Sequence, residues 1–222
     1  LRVNPAAGRF AGIDVYRTRV TGVVTDFSGG VLGVDSAVLG RQPRRAAVMA
    51  AILDVLGRLR ASTAGHGGEL RAVGIGLPGV VDREAGAAVR YRPILDWENV
   101  PVRALVEERF GVPVRVDHNS NAVALGEACC GDAAGYDHVV SILLRTGVSL
   151  GVVRHREIRL QAPQGAGELG HTVVRFGGRP CWCGTRGCLE AYASGWALQR
   201  DVSRALRLAP DWAGRDAFAG SG

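Results

Sequence analysis

Apolar and polar positions along the chain follow two rhythms, one with a period of two and one with the period of a helix. Residues 11–17 and 19–26 are short runs rich in Val, Ile and Thr, and residues 31–34 follow the Gly29-Gly30 turn, which predicts an antiparallel meander. From 45 to 60, Val48, Ile52, Val55, Leu56 and Leu59 recur at helical spacing. Residues 70–77 then read as a buried strand that enters the turn Pro78-Gly79. A short amphipathic helix is expected over 102–110, a strand over 112–116, and a helix over 121–130 capped by Asn119 or Ser120. Two further strands, 138–144 and 150–154, precede a glycine-rich, cysteine-bearing loop at 165–187, with helices over 189–208 and no clear periodicity from 210 onward. Strands followed by helix, twice over, predict two α/β lobes, 1–117 and a partial second lobe 118–222.

Composition adds little to this reading except at glycine and arginine. Thirty-two glycines in 222 residues are about twice the usual share, so many turns or close backbone approaches are expected. All 27 basic residues are arginine, against 21 acidic ones, for a net charge of +6. The arginines are spread along the whole chain and read as a compositional bias, not a patch for a polyanion. The segment RQPRR at 41–45 accordingly reads as a solvated helix start. No apolar run approaches the ~18 residues of a membrane helix and no secretory signal opens the chain, so a cytoplasmic protein without a membrane partner is expected.

The cysteines carry the first chemistry. Cys129 and Cys130 are adjacent, whereas Cys181, Cys183 and Cys188 lie too close together for a set of loop-closing disulfides. With His171 they make a complete tetrahedral set for zinc, three thiolates and one imidazole, with no position left for a reactive water. Such a site would be structural. Buried reduced thiols beside an unrelated histidine is the other reading. A single ion here would also bring together Glu168, three residues before His171, and Glu190, two after Cys188; surface ion pairs are the alternative for both.

The motifs GELGH at 167–171, CWCGTRGCLE at 181–190, GIGLPGVVD at 74–82 and DHNSNAVALGE at 117–127 together resemble the ROK family of bacterial sugar kinases and sugar-responsive transcriptional repressors. The resemblance implies the actin-like ATPase fold, two ribonuclease-H-like lobes with a cleft for sugar and ATP between them, here incomplete at the C-terminus. It implies a sugar site at Gly79, His118, Asn119, Glu168, His171 and Glu190, with His171 against both metal and sugar; the sequence does not name the sugar, because epimers differ in single hydroxyl positions that depend on side-chain placement around His118, Tyr91 and Arg92.

Three departures separate the chain from the kinases it resembles. The family's catalytic base is an aspartate whose place is taken by Asn119, and an amide cannot accept a hydroxyl proton at neutral pH. Asp117 is two residues away, about 6.6 Å along a strand, against a ~3 Å reach for direct transfer. The phosphate-binding DxGGT turn is Asp14-Val15-Tyr16-Arg17-Thr18, and the second glycine loop is Arg145 to Gly151, RTGVSLG. By the same resemblance the chain is expected to lack the family's closing segment after Gly222, and the opening LRVNPAAGRF resembles the entry into this lobe in the repressors, which place a winged helix-turn-helix before it. The expected function is therefore a sugar-sensing regulator domain without kinase activity, holding structural zinc and no ATP. Its expected partners are a monosaccharide or sugar phosphate, a second copy in a homodimer or higher oligomer, and DNA through an upstream domain; an ATP-dependent sugar kinase of relaxed motif is the alternative.

Overall fold

Fifteen residues of alternating sequence open the fold as the paired strands β1 (Arg9–Val15) and β2 (Arg19–Asp26), joined by a tight turn at Tyr16-Arg17-Thr18. The computed structural model describes residues 3–159 and 167–208. The chain divides into two compact units, one of Leu1–Val139 with Val152–Ala166, the other of Val140–Gly151 with Gly167–Gly222.

In the first unit, β1, β2 and β3 (Val31–Val38) form the antiparallel meander that the sequence predicts, with β3 running four residues further than expected. The right edge of the sheet is parallel: β4 (Leu70–Leu77) pairs with β1, and β8 (Val114–His118) pairs with β4, giving the order β3-β2-β1-β4-β8. Helix α1 (Arg45–Ser62) lies on the meander and buries Val48, Ile52, Val55, Leu56 and Leu59, the residues whose spacing predicted it. Between β4 and helix α2 (Val102–Phe110), a small sheet of β5 (Val80–Asp82), β6 (Ala87–Arg90) and β7 (Glu98–Val100) is held by the buried Ile94 and Trp97. The periodicity does not reveal it, because strands of three or four residues are shorter than one cycle of a reliable pattern. It is this small sheet that fixes the turn after β4. Gly79 there has φ +77°, and a Cβ on it would lie 2.4 Å from the Arg90 carbonyl oxygen.

Strand β8 hands over directly to helix α3 (Asn119–Cys130). The cap is neither Asn119 nor Ser120: the His118 side chain accepts from the Ser120 N–H, so the helix starts two residues earlier than the sequence suggested. Its buried Ala124 and Ala128 pack on Val139, Val153 and Ile158, the last on the two-residue strand β11 (Glu157–Ile158).

Strands β9 (His138–Leu144) and β10 (Val148–Arg154) join β11 in a three-stranded sheet of order β11-β10-β9. The tip of this hairpin, residues 140–151, belongs to the second unit. There it is joined by a 3-10 turn at Leu169–His171, the cysteine loop, and helices α4 (Glu190–Ala193) and α5 (Gly195–Leu208), which part at Ser194. The Ser194 hydroxyl accepts from the Ala197 N–H and so starts the second helix. Residues 165, 166 and 210–222 of the sequence reading lie outside the described residues.

Candidate functional site

The cysteine loop is built by backbone turns that would have no reason to converge otherwise. The Gly184 N–H bonds to the Cys181 carbonyl, the Cys181 N–H to the Thr185 carbonyl, and the Gly187 N–H to the Arg179 carbonyl. Gly187 has φ +83°, and a Cβ there would sit 1.7 Å from the Arg175 carbonyl oxygen, so only glycine fits. These turns bring His171 Nδ1 and the sulfurs of Cys181, Cys183 and Cys188 within 4.8 Å of one another. The Cys183 and Cys188 sulfurs are 3.8 Å apart, and His171 Nδ1 is 3.6 Å from the Cys181 sulfur.

Those spacings test the donor set. Bonds of ~2.3 Å to sulfur and ~2.0 Å to nitrogen at a tetrahedral centre put sulfurs ~3.8 Å apart and sulfur and nitrogen ~3.5 Å apart. The Cys183–Cys188 and His171–Cys181 edges match, the four donors as a group spread over up to 4.8 Å, and the cysteines are free thiols and not disulfides. Burial pushes the Cys181 thiol up to about 12 and raises Cys188 as well, so without a cation both stay protonated. At Cys183 burial also opposes ionisation, but hydrogen bonds from Thr185 outweigh it and lower the pKa. The second unit needs such a centre, since its buried apolar side chains among the described residues are only Val148, Cys181, Cys188, Ala191 and Ala197.

Two of the predicted sugar residues and the shared histidine surround this cluster. His171 points Nδ1 at the sulfurs and Nε2 at Glu168 Oε2, 3.5 Å away, the arrangement in which a carboxylate fixes the tautomer of a metal-binding imidazole. Burial, helped by the charge of Glu190, pushes the Glu168 carboxyl up to about 7. Glu190 is 4% exposed. Its Oε2 accepts from the Val148 N–H at 3.0 Å, and its Oε1 accepts from the indole N–H groups of Trp182 and Trp196. The two tryptophans are absent from the sequence reading. Trp182 could have been found there, since it stands inside the cysteine motif.

The other three predicted sugar residues lie in the first unit. Gly79 forms the turn already described, against Tyr91. His118 caps α3 through Nδ1, which is 2.6 Å from the Ser120 hydroxyl, and burial lowers its pKa to about 4 even though Asp117 pulls the other way. Asn119, 6% exposed, packs across Gly76, on which a Cβ would lie 3.2 Å from the Asn119 Cα. Asp117 and Asn119 are not two residues apart along one strand, as expected, because β8 ends at His118 and Asn119 already belongs to a helix. What occupies Asp117 is its partners: Arg83 Nε at 2.5 Å, the Asn121 amide at 2.9 Å and the His118 N–H at 2.7 Å. At the β1–β2 turn, Arg17 donates to the Arg41 carbonyl at 3.1 Å.

A meander with a parallel extension, a strand-to-helix junction carrying a polar motif, and a Cys3His cluster flanked by glutamates together define a protein of the actin-like ATPase fold with a donor set that could hold a metal ion. The chain belongs to the ROK family, whose model matches residues 10–213. It is 42% identical over 180 residues to the glucokinase of Thermotoga maritima, covering 79% of this chain and 56% of that enzyme. It is 29% identical over 207 residues to the xylose repressor of Caldicellulosiruptor bescii, covering 93% of this chain and 52% of the repressor. Among solved structures, a ROK family glucokinase of Streptomyces griseus in complex with glucose and AMPPNP superposes with a TM-score of 0.79 at 33% identity, over 92% of this chain and 63% of that one. This chain thus spans between half and two thirds of the length of these relatives, which include both kinases and repressors. No helix among the described residues is long and apolar enough to cross a membrane.

Two measurements check the geometry. Protein purified without chelator is expected to carry about one thiolate-loving divalent cation per chain by mass spectrometry, and Cys183→Ser to lose it and to melt about 5–15 °C lower; unchanged metal content in the variant would contradict the cluster. For His118 the folded pKa of about 4 lies below the ordinary 6.5. Between those values the unfolded chain takes up a proton that the folded one refuses, so stability is complete above 6.5 and falls as the pH drops towards 4. Urea unfolding of His118→Asn, which keeps a capping oxygen, should lose on the order of 1–3 kcal/mol less than the parent across that window.

Proposed function

We propose that this chain is the sugar-sensing effector domain of a ROK-type transcriptional regulator and that it does not transfer phosphate. The observation that carries the reading is the strand-to-helix junction: Asn119 stands where a kinase needs a carboxylate, and the one carboxylate beside it in sequence, Asp117, is held by Arg83, Asn121 and the His118 N–H. A base must be free to take the hydroxyl proton. The β1–β2 turn supports the same conclusion, since Tyr16 and Arg17 stand at the places the resemblance gives to the phosphate-loop glycines, and Arg17 donates through Nη2 to the Arg41 carbonyl. ATP is accordingly no cofactor in this reading.

The ligand is a monosaccharide or sugar phosphate, met by the hydroxyl-binding groups of Glu168, His171 and Glu190 on one side of the sequence and of Gly79, His118 and Asn119 on the other. Zinc in the Cys3His cluster supplies structure only, because four protein donors leave it no open position. In the intact regulator, a sugar that binds one conformational state better than another would shift that equilibrium and with it the spacing of winged helix-turn-helix domains in a cytoplasmic homodimer or higher oligomer. The competing reading, an ATP-dependent sugar kinase, rests on the 42% identity to the Thermotoga maritima glucokinase.

Calorimetric titration with a panel of monosaccharides and their 6-phosphates tests the sugar site. At least one should bind saturably, and Glu168→Gln, which keeps the shape and removes the carboxylate, should weaken it about tenfold or more. Binding by the parent that the variant leaves unchanged would sink the assignment of Glu168.

A further inference from the structure

Glu190 is wedged so that a ligand can reach only one of its oxygens. On the Oε2 side, a Cβ on Gly147 would lie 2.8 Å and a Cβ on Gly170 2.9 Å from that oxygen, so backbone closes over it while Val148 donates to it. Oε1 is the remaining side, and it is already taken by two indole N–H groups, those of Trp182 and Trp196. A carboxylate oxygen has about two lone-pair sites to offer, so a sugar hydroxyl that is to bond Oε1 must displace one of these donors.

The two tryptophans are not equally fixed. Trp196 sits in the first turn of α5 with the Arg200 guanidinium 5.1 Å over its ring, and Arg200 itself is tied to Asp201 and the Ala191 carbonyl. Trp182 stands between two metal-binding cysteines at the rim of the knuckle, 37% exposed, with its ring edge-on to His171 at 4.9 Å. Exchange at Trp182 therefore leaves the buried carboxylate paired: Val148 and Trp196 keep their bonds, and a sugar hydroxyl replaces the third donor.

We infer that Trp182 is a displaceable self-ligand of the sugar site, its indole N–H holding the Glu190 oxygen that a sugar hydroxyl takes on binding. The inference deepens the sugar-binding reading and rests on it. It makes Trp182 a determinant of affinity, since every sugar must compete with the indole, and of response, since the displaced ring lies between Cys181 and Cys183 and carries the change into the metal loop.

Trp182→Phe keeps a ring against His171 and removes the N–H. With the same panel of monosaccharides and 6-phosphates, the variant should bind whichever member the parent binds roughly three- to tenfold more tightly, the worth of one hydrogen bond no longer in competition. Equal or weaker binding by the variant would overturn the self-ligand while leaving the sugar site standing. Binding of no member by parent or variant would overturn the sugar reading and this inference with it. A second readout needs no variant of Trp182: in 15N-labelled parent, saturating sugar should move the Trp182 indole N–H resonance and speed its exchange with water, leaving that of the buried Trp97 unmoved. An indole that stays protected and unshifted at saturation would contradict displacement.

Discussion

Four donor atoms within 4.8 Å of one another organise the second unit of this protein. That unit has few buried apolar side chains among its described residues, far fewer than the first, whose core runs from Ala11 through α1 and the parallel strands to Val116. A segment so poor in core gains from a cross-link, and a cation held between His171 and the three cysteines would supply one. Everything of chemical interest in the unit hangs on it. His171 is oriented by Glu168 from one side and the sulfurs from the other, Trp182 stands between two ligands, and Glu190 follows the last cysteine by two residues.

Glu190 is the second level of the same organisation. The buried carboxyl accepts from a backbone amide of the hairpin tip, from a tryptophan of the cysteine loop and from a tryptophan of α5, so one side chain ties the hairpin tip, 42 residues away, to the two segments that flank it in sequence. Burying a carboxylate is costly unless it is paired, and the three donors satisfy that demand. The arrangement gives the unit a polar centre in place of an apolar one, and polar centres can exchange partners in a way that packed methyl groups cannot.

Much of this was legible in the sequence where the signal was local. The spacing of Val48, Ile52, Val55, Leu56 and Leu59 gave α1 nearly to its ends, β4 and α2 fell on the expected residues, and the cysteine motif named a donor set that the fold brings together. What the sequence hid depends on contacts across the chain. The β5-β6-β7 sheet is made of strands too short to show a period, and it is Ile94 and Trp97 that hold it. His118 looked like a sugar residue and proved to be also a helix cap, because a histidine is rarely chosen for that place. The engagement of Asp117 by Arg83, and of Glu190 by two indoles, joins residues 34 or fewer positions apart with no pattern that announces the pairing.

The ROK family includes both glucokinases and xylose repressors, and the two differ in the chemistry that the shared frame must carry. In the proposed reading this chain keeps the cysteine cluster, the glutamates and the turn at Gly79, and it has Asn119 in place of the base and Tyr16 and Arg17 in place of the phosphate-loop glycines. The most direct measurement is 31P NMR of the protein incubated with magnesium ATP and the sugar that titrates most tightly. The account predicts no sugar phosphate above the protein-free control, and a sugar phosphate accumulating over many turnovers would contradict it.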